Sequence, residues 1–349
     1  MVDTAVIELE PLLRRWQELR GAEPRLRIRD AADRLGVSER DLLLIDPEAR
    51  VRRLLPPGGN WHGLVAALEG LGEVMALTRN DHCVHERVGR YGKASEHNGV
   101  GLVLMPEIDL RIFYRRWHSA FAVEQGGRQS LQVFDRHGLA LHKVYLTAAS
   151  DRAAYDRLVA THEGGGDLPP VEPAVPEADA SRPDDAVDLD ALRAAWDGLT
   201  DTHDFFPMLR RLEVGRLQAL RLAGGGRARA VAAGSPRPVL EAARDQQLPI
   251  MVFVGSPGVI QIHTGRVENL VEYGPWFNVM DPRFNLHLKM TAVARAFVVA
   301  KPTSDGPVTS LEIFDDADRL IALFFGRRKP GEAEDPAWTA LLSGLASLP

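Results

Sequence analysis

Asp109-Leu110-Arg111-Ile112, followed by Ala120-Phe121-Ala122-Val123, has a counterpart later in the chain: Asn285-Leu286-His287-Leu288, followed at the same separation by Ala296-Phe297-Val298-Val299. No gap is needed to align them. After a short insertion, Ser130-Leu131-Gln132-Val133-Phe134-Asp135 pairs with Ser310-Leu311-Glu312-Ile313-Phe314-Asp315. Upstream, Leu35-Gly36-Val37 pairs with Leu212-Glu213-Val214, and Trp16 falls near Trp196. Matches in this order read as an internal duplication, which settles the architecture before any local motif is weighed.

Between the copies, residues 161–190 hold a triple glycine (164–166), five prolines, and nine acidic residues against the single base Arg182. Such a stretch buries too little apolar surface to build a core and predicts a flexible tether outside either one. The chain divides into an N-terminal repeat (1–160), an acidic Pro/Gly-rich linker (161–190) and a C-terminal repeat (191–349). In each repeat the pattern changes from helical to extended. Leu9 to Leu43 and Leu189 to Leu222 carry apolar residues at three- and four-residue spacing, which predicts helices. Short β-branched and aromatic runs follow, from Phe121 to Phe134, Leu139 to Leu146, Met251 to His263 and Ala296 to Phe325, broken by turn signals such as His137-Gly138. Helices first and a mainly antiparallel sheet afterwards is an α+β fold, here as two tandem structural repeats.

Composition bounds the function. A 349-residue chain with 45% hydrophobic and 26% charged residues is an ordinary globular protein long enough for two domains. A net charge of -6 argues against a protein whose main task is neutralising nucleic-acid phosphates. The single cysteine, Cys83, allows no internal disulfide and fits a reducing compartment. Neither a secretory leader at the start nor an apolar run of membrane-spanning length is present in the sequence, so a cytoplasmic protein without membrane insertion is expected.

Several motifs invite chemistry. Arg29 to Ser38 resembles the first helix and turn of a helix-turn-helix reader, the distant alternative of a DNA-binding regulator. The next helix opens on Glu39 and Asp41, which would face phosphates with the wrong sign. His82-Cys83-Val84-His85-Glu86 looks like a metal cluster, but an extended segment sends His82 and His85 to opposite faces, so they read as structural. Gly224-Gly225-Gly226 lacks the Lys-Ser/Thr of a nucleotide loop and reads as a helix terminator.

His203 stands in Asp201-Thr202-His203-Asp204-Phe205-Phe206-Pro207-Met208-Leu209. Asp204 can cap a helix whose first turn tolerates Pro207, leaving His203 just outside it, beside two phenylalanines and near the positive helix end, which favours a neutral, metal-binding imidazole. Taken alone, such a histidine is more often a packed or capping residue. By the repeat offset its partner in the first half is Leu26, so only the second half holds this candidate ligand.

The runs Thr202-His203-Asp204-Phe205-Phe206, Gln261-Ile262-His263-Thr264-Gly265, Gly274-Pro275-Trp276-Phe277-Asn278-Val279, Asp281 to Leu288 and Lys301-Pro302-Thr303 together resemble the cytoplasmic hemin-degrading and haem-trafficking family, the HemS-like proteins of bacterial haem uptake. Thr78-Arg79-Asn80, Val84-His85-Glu86 and Ile108 to Phe113 agree in the first half. The resemblance implies one haem b (iron protoporphyrin IX) held between the halves, with His203 as the proximal iron ligand and Arg111 reaching the opposite face in a catalytic role. It further implies Phe113 and Phe253 lining the haem slot, and Arg216, Lys301 and Arg328 meeting the propionates. Ala322 and Leu323 depart from the polar pair usual before the last Phe-Gly, which bears on the distal pocket.

The function expected from the resemblance is haem binding in a haem-uptake system, delivering haem to its degradation for iron release or taking part in it. The alternative is an enzyme that opens the porphyrin ring with an external reductant. The implied partners are haem, a haem oxygenase or haem-uptake transporter, and that reductant. No glycine-rich dinucleotide fingerprint follows a strand, so a nicotinamide or flavin would come from outside or from another protein.

Overall fold

The computed structural model describes residues 9–24, 26–174, 182–328 and 331–348. The first half runs α1 (Leu9–Ala22), α2 (Ile28–Leu35), α3 (Glu39–Ile45), β1 (Ala49–Leu54), α4 (Trp61–Ala67), β2 (Gly72–Arg79), β3 (Cys83–Arg90), β4 (Ser95–His97), β5 (Val100–Leu104), β6 (Asp109–Phe113), β7 (Ser119–Gln125), β8 (Arg128–Phe134), β9 (Ala140–Ser150) and α5 (Arg152–His162). The second half repeats that order: α6 (Leu189–Asp197), α7 (Phe205–Leu212), α8 (Arg216–Ala223), β10 (Ala228–Val231), α9 (Pro236–Asp245), β11 (Ile250–Ser256), β12 (Val259–Gly265), β13 (Leu270–Tyr273), β14 (Trp276–Asp281), β15 (Phe284–Lys289), β16 (Arg295–Lys301), β17 (Val308–Phe314), β18 (Leu320–Gly326) and α10 (Pro336–Ser343). The expected tandem α+β repeat is therefore present element by element, each copy also closing on a helix.

Two compact units result, and each takes in a short segment from the opposite half of the sequence. Among the described residues, unit 1 takes those within 1–78, 88–175 and 256–259, and unit 2 those within 79–87, 176–255 and 260–349. In unit 1 the strands run β1-β7-β8-β9-β2, with β4, β5 and β6 as a separate antiparallel set. Its borrowed segment supplies the carbonyl of Gly258, which accepts from Phe113 N at 2.9 Å and Trp117 Nε1 at 3.2 Å. In unit 2 the order is β10-β16-β17-β18-β11-β12, and borrowed β3 pairs with β15, Phe284 opposite Arg87 and Leu288 opposite Cys83, followed by β14 and β13. Asn80 fastens the borrowed segment: its Nδ2 donates to the carbonyls of Ile321 (2.8 Å) and Gly255 (3.3 Å), while its Oδ1 accepts from the backbone of His82 and Cys83.

Every residue of β17 is buried, as a strand covered on both faces requires. On one face Leu311 and Ile313 join Val239, Leu240, Trp338 and Leu342 of α9 and α10; on the other, Phe314 joins Trp196, Phe205 and Leu220 of α6–α8. In unit 1 Ala31, Leu35 and Leu42 of α2 and α3 close on α1 through Leu12 and Trp16. Buried there, His142 bonds Thr78 Oγ1 through Nδ1 (2.8 Å) and Tyr91 Oη through Nε2 (2.6 Å). The helix-turn-helix likeness ends at α3, whose first residues Glu39 and Arg40 are 4% and 3% exposed, whereas a recognition helix must present that end to a groove.

The described ends of the 161–190 segment are tied down rather than hanging free. Arg53 Nη1 donates to Asp167 O at 2.9 Å, Glu172 N to Arg136 O at 2.9 Å, and Val187 is buried among the α6–α8 residues. Polar backbone near a unit finds partners there that composition does not announce. Residues 175–181 of the segment, and residues 1–8 of the start, lie outside the described residues. Among the described residues no helix is long and apolar enough to cross a membrane.

Two predictions concern stability. The repeat-equivalent positions Gly36 and Glu213 end α2 and α7 in the left-handed region, at φ 72° and 54°. A side chain there is strained, so Glu213→Gly should stabilise the protein by about 0.5–1 kcal/mol, read as a rise in denaturant midpoint. Burial holds His142 and His263 neutral, each with its pKa pushed down to about 3. The unfolded chain takes up protons near pH 6.5 that the folded chain refuses, so stability should fall as pH drops from about 6.5 towards 3. His142→Gln should flatten that fall in urea midpoints without abolishing it, because His263 contributes separately.

Candidate functional site

The His203 turn is built by Asp201, not by Asp204. Asp201 lies in extended backbone before a short 3-10 turn, Thr202–Asp204, and its Oδ1 accepts from His203 N at 2.8 Å and meets His203 Nδ1 at 2.7 Å. The bonds from the His203 backbone and ring, with the Arg328 charge adding to them, hold the Asp201 carboxyl below its usual range. An ionised carboxylate only accepts, so Nδ1 carries a proton, and the neutral ring in this tautomer has its lone pair on Nε2. The imidazole is 83% exposed. Asp204 precedes α7 without any side-chain cap bond. The cap expected of Asp204 is made three residues earlier, because the turn at 202–204 already continues into the helix.

The two phenylalanines beside His203 take different environments. Phe205 is 2% exposed and meets Trp196 edge to face at 4.7 Å. Phe206 is 59% exposed, with the Arg210 guanidinium over its ring at 5.0 Å. His203 and Phe206, three residues apart, share one side of the turn.

Beneath Phe205 lies a buried carboxylate that sequence reading passed over. Glu312 of β17 is fully buried; Arg216, first residue of α8, donates Nε and Nη2 to it at 2.8 Å each, Lys301 Nζ donates at 2.8 Å, and Ser310 Oγ lies at 3.2 Å. Both cations also lie over the Phe205 ring, Lys301 Nζ at 4.5 Å and Arg216 Cζ at 5.4 Å. Burial alone would raise the Glu312 pKa, but the two neighbouring charges outweigh it and hold it at about 2. Lys301, expected at a propionate, is 3% exposed and faces this carboxylate, whereas the Arg216 side chain stays a quarter exposed. A lone Glu inside a strand whose apolar neighbours occupy both faces was the available signal.

Strand register decides what accompanies Glu312. Phe297 stands opposite Glu312, Glu312 opposite Leu323, and Leu323 opposite Phe253, so the four side chains share a face. Phe253 meets Phe325 edge to face at 5.1 Å, and both are only partly buried, as is Leu323. Ala322 points the other way, 1% exposed in the core under α9 and α10. Of the two departures noted in sequence, Leu323 alone faces this apolar strip.

Arg328 lies 3.7 Å from Asp305, and the 301–306 turn is tied to the His203 segment by Ser304 N donating to Thr200 O at 2.9 Å. Unit 2 therefore brings His203, Arg216, Lys301 and Arg328 into linked interactions and sets Phe253 on the Glu312 face. Arg111 and Phe113 belong to unit 1. There Arg111 bonds Asp109 Oδ1 and the Leu110 carbonyl, and Phe113 is held through Gly258. His82 pairs with Asp315 at 3.3 Å and His85 packs on Phe284, in keeping with structural roles. Gly224 ends α8, and no group of three or more metal-ligating His, Cys, Asp or Glu exists among the described residues.

Glu312→Gln leaves Lys301 and Arg216 without their counter-charge. Removing one partner of a buried ion pair costs about 3–5 kcal/mol, so the denaturant midpoint of this variant should drop accordingly.

A family model described as the haemin-degrading HemS.ChuX domain matches residues 36–162 and again 213–345. The hemin transport protein HemS of Yersinia enterocolitica is 40% identical over 320 residues, covering 89% of this chain and 90% of that protein. Among solved structures, holo-PhuS, a heme-binding protein from Pseudomonas aeruginosa, is 45% identical with a TM-score of 0.91, over 97% of this chain and 99% of that one. The heme degrading enzyme ChuS of Escherichia coli O157:H7 is 35% identical with a TM-score of 0.89, over 97% and 99%. With both halves matched and relatives similar over nearly their whole length, the chain belongs to the HemS/ChuX haemin-degrading domain family.

Proposed function

We propose that this chain binds one haem per polypeptide in a bacterial haem-uptake system and delivers it for degradation, with His203 as the iron ligand. The observation that carries the reading is an exposed imidazole whose Nδ1 is fixed on a carboxylate, leaving Nε2 as an oriented donor, the arrangement that metal-binding histidines adopt. Haem supplies an iron that takes a nitrogen donor, an apolar ring and two carboxylates. The residues of unit 2 fit those needs: Phe206 offers exposed aromatic surface, and Phe253, Leu323 and Phe325 offer a half-buried apolar strip. Arg216 and Arg328 are partly exposed cations for the propionates. Lys301 serves the same carboxylates only by leaving Glu312; otherwise it keeps Glu312 charged and Arg216 in place. Phe113 is assigned to the ring and Arg111 to reactivity, as a permanent cation with several donors. The reading puts the work in the cytoplasm, with a haem oxygenase or haem-uptake transporter as partner.

A second reading, ring opening with an external reductant, is favoured by the likeness to the heme degrading enzyme ChuS. Absorbance time courses of the purified haem complex with reductant, with and without oxygen, separate the two. Haem that stays intact until an acceptor protein is added supports delivery; a linear tetrapyrrole found by mass analysis supports ring opening.

His203→Ala should lose the native Soret position and weaken binding. Asp201→Asn, which keeps the shape but removes the charged acceptor, should weaken haem affinity roughly 10- to 100-fold in spectroscopic titration. Parental spectra and affinities in both would remove His203 from the site. Arg111→Ala should keep affinity within about tenfold, ~1.4 kcal/mol or less, while any ring opening slows by more than binding does. A loss of binding as large as in His203→Ala would contradict that division.

A further inference from the structure

Unit 2 also holds a recess that none of the residues assigned to haem enters. About 400 Å³ in volume, it is lined by Arg87 on β3, His263 and Gly265 on β12, Arg266 and Glu268 just after, and the 281–284 turn that ends in Arg283 and Phe284. We propose that this recess is a binding site for a small oxyanion, a phosphoryl or carboxylate group, held by Arg266, Arg283 and Arg87 at its mouth and by the imidazole of His263 at its floor.

His263 makes the recess more than a surface dent. The ring is 2% exposed and stacked on Phe284 at 3.6 Å between centroids and 3° between planes. Neither ring nitrogen makes a hydrogen bond of good geometry within the described residues, and only the Gly265 and Arg266 backbone comes near enough to interact with the ring. A buried polar group left in that state costs about 1–3 kcal/mol, and a ligand that bonds it recovers the loss. Gly265 packs against the ring edge, where a Cβ would lie 3.1 Å from Cε1 and 3.3 Å from Nε2 of His263. A side chain at 265 would crowd the imidazole at the floor of the recess.

Charge around the recess favours an anion. Three guanidinium groups line it against two carboxylates, and the Asp281 carboxylate is already occupied. Its Oδ1 accepts from Asn269 N and Nδ2 at 2.8 and 3.0 Å, and its Oδ2 from Glu268 N at 3.1 Å. Arg87 lies over the Phe284 ring at 5.9 Å and donates to the Arg283 carbonyl at 3.3 Å, which fixes it beside the 281–284 turn. The repeats have diverged here. At the offset that aligns Asp109 with Asn285, Arg283 stands at the place of Glu107, Phe284 at that of Ile108 and His263 at that of Arg87. A position that carries the opposite charge in the first half carries a cation in the second.

The test uses the purified full chain without haem, followed by the histidine ring NMR signals and the thermal midpoint. Inorganic phosphate and acetate are titrated separately against sodium chloride at matched ionic strength. Saturable movement of the His263 signals by phosphate or by acetate, with no movement in chloride, supports the site and tells which anion class it takes. Arg266→Ala and Arg283→Ala should each weaken that binding at least about threefold while leaving haem spectra and affinity as in the parent. His263→Phe keeps the stacked ring without nitrogens, and should raise the anion-free midpoint while losing the rise that the anion gives the parent. Silence of the His263 signals to both anions, an equal response to chloride, or unaltered binding in both arginine variants would overturn the proposal. None of these outcomes bears on His203, so the haem reading stands or falls separately.

Discussion

A buried carboxylate organises the second unit. Glu312 is fully enclosed at the centre of a strand, and charge in such a place is tolerated only where opposite charge and hydrogen bonds meet it. Arg216 from the first turn of α8 and Lys301 from the end of β16 meet it together, so the helix and two adjacent strands are locked to a single point. Phe205 lies against both cations, and Phe205 immediately follows the turn that presents His203. Helix docking, strand end and candidate ligand are thereby coupled through a few bonds.

The first unit solves the same packing problem with the charges reversed. Glu39, first residue of α3, is 2.6 Å from Lys143 of β9, both buried. Lys143 stands opposite Gln132 where the second unit has Leu323 opposite Glu312. One unit puts the anion on the helix and the cation on the sheet, and the other does the opposite. Such a swap preserves the need for an ion pair at that contact while changing what it offers to a ligand. In the second unit a partly exposed arginine and an apolar strip remain; in the first the lysine side chain is itself 9% exposed.

The duplication spread the chemistry unevenly. His203 has Leu26 as its counterpart, Arg111 has His287, and Arg283 has Glu107. His287 is bonded through Nδ1 to Asn278 Oδ1 at 2.8 Å on neighbouring strands, a local structural role quite unlike that assigned to Arg111. Conversely, the buried Thr78–His142–Tyr91 chain of the first unit falls where the second has small and branched apolar side chains, Ala322 among them. A core that is polar in one copy and apolar in the other tolerates the exchange because the Thr78, His142 and Tyr91 side chains all find partners in one another.

By itself the sequence determined the tandem α+β architecture, because apolar spacing is a local property and the two copies display it in the same order. It also singled out His203 by its neighbours, while Arg111, Phe113, Phe253, Arg216, Lys301 and Arg328 became candidates through the family resemblance that the longer runs carry. Tertiary structure decided what those side chains touch. Asp201 rather than Asp204 holds the histidine, since the choice depends on which residue stays extended before the turn. Lys301 faces Glu312 rather than solvent, and Ala322 lies on the opposite face from Leu323, since both depend on strand register. The exchange of residues 79–87 and 256–259 between the units was likewise invisible, because the partners of Asn80 and Gly258 lie more than a hundred residues away in the chain. Periodicity is written into neighbouring residues, whereas burial, register and the pairing of charge exist only once distant segments have met.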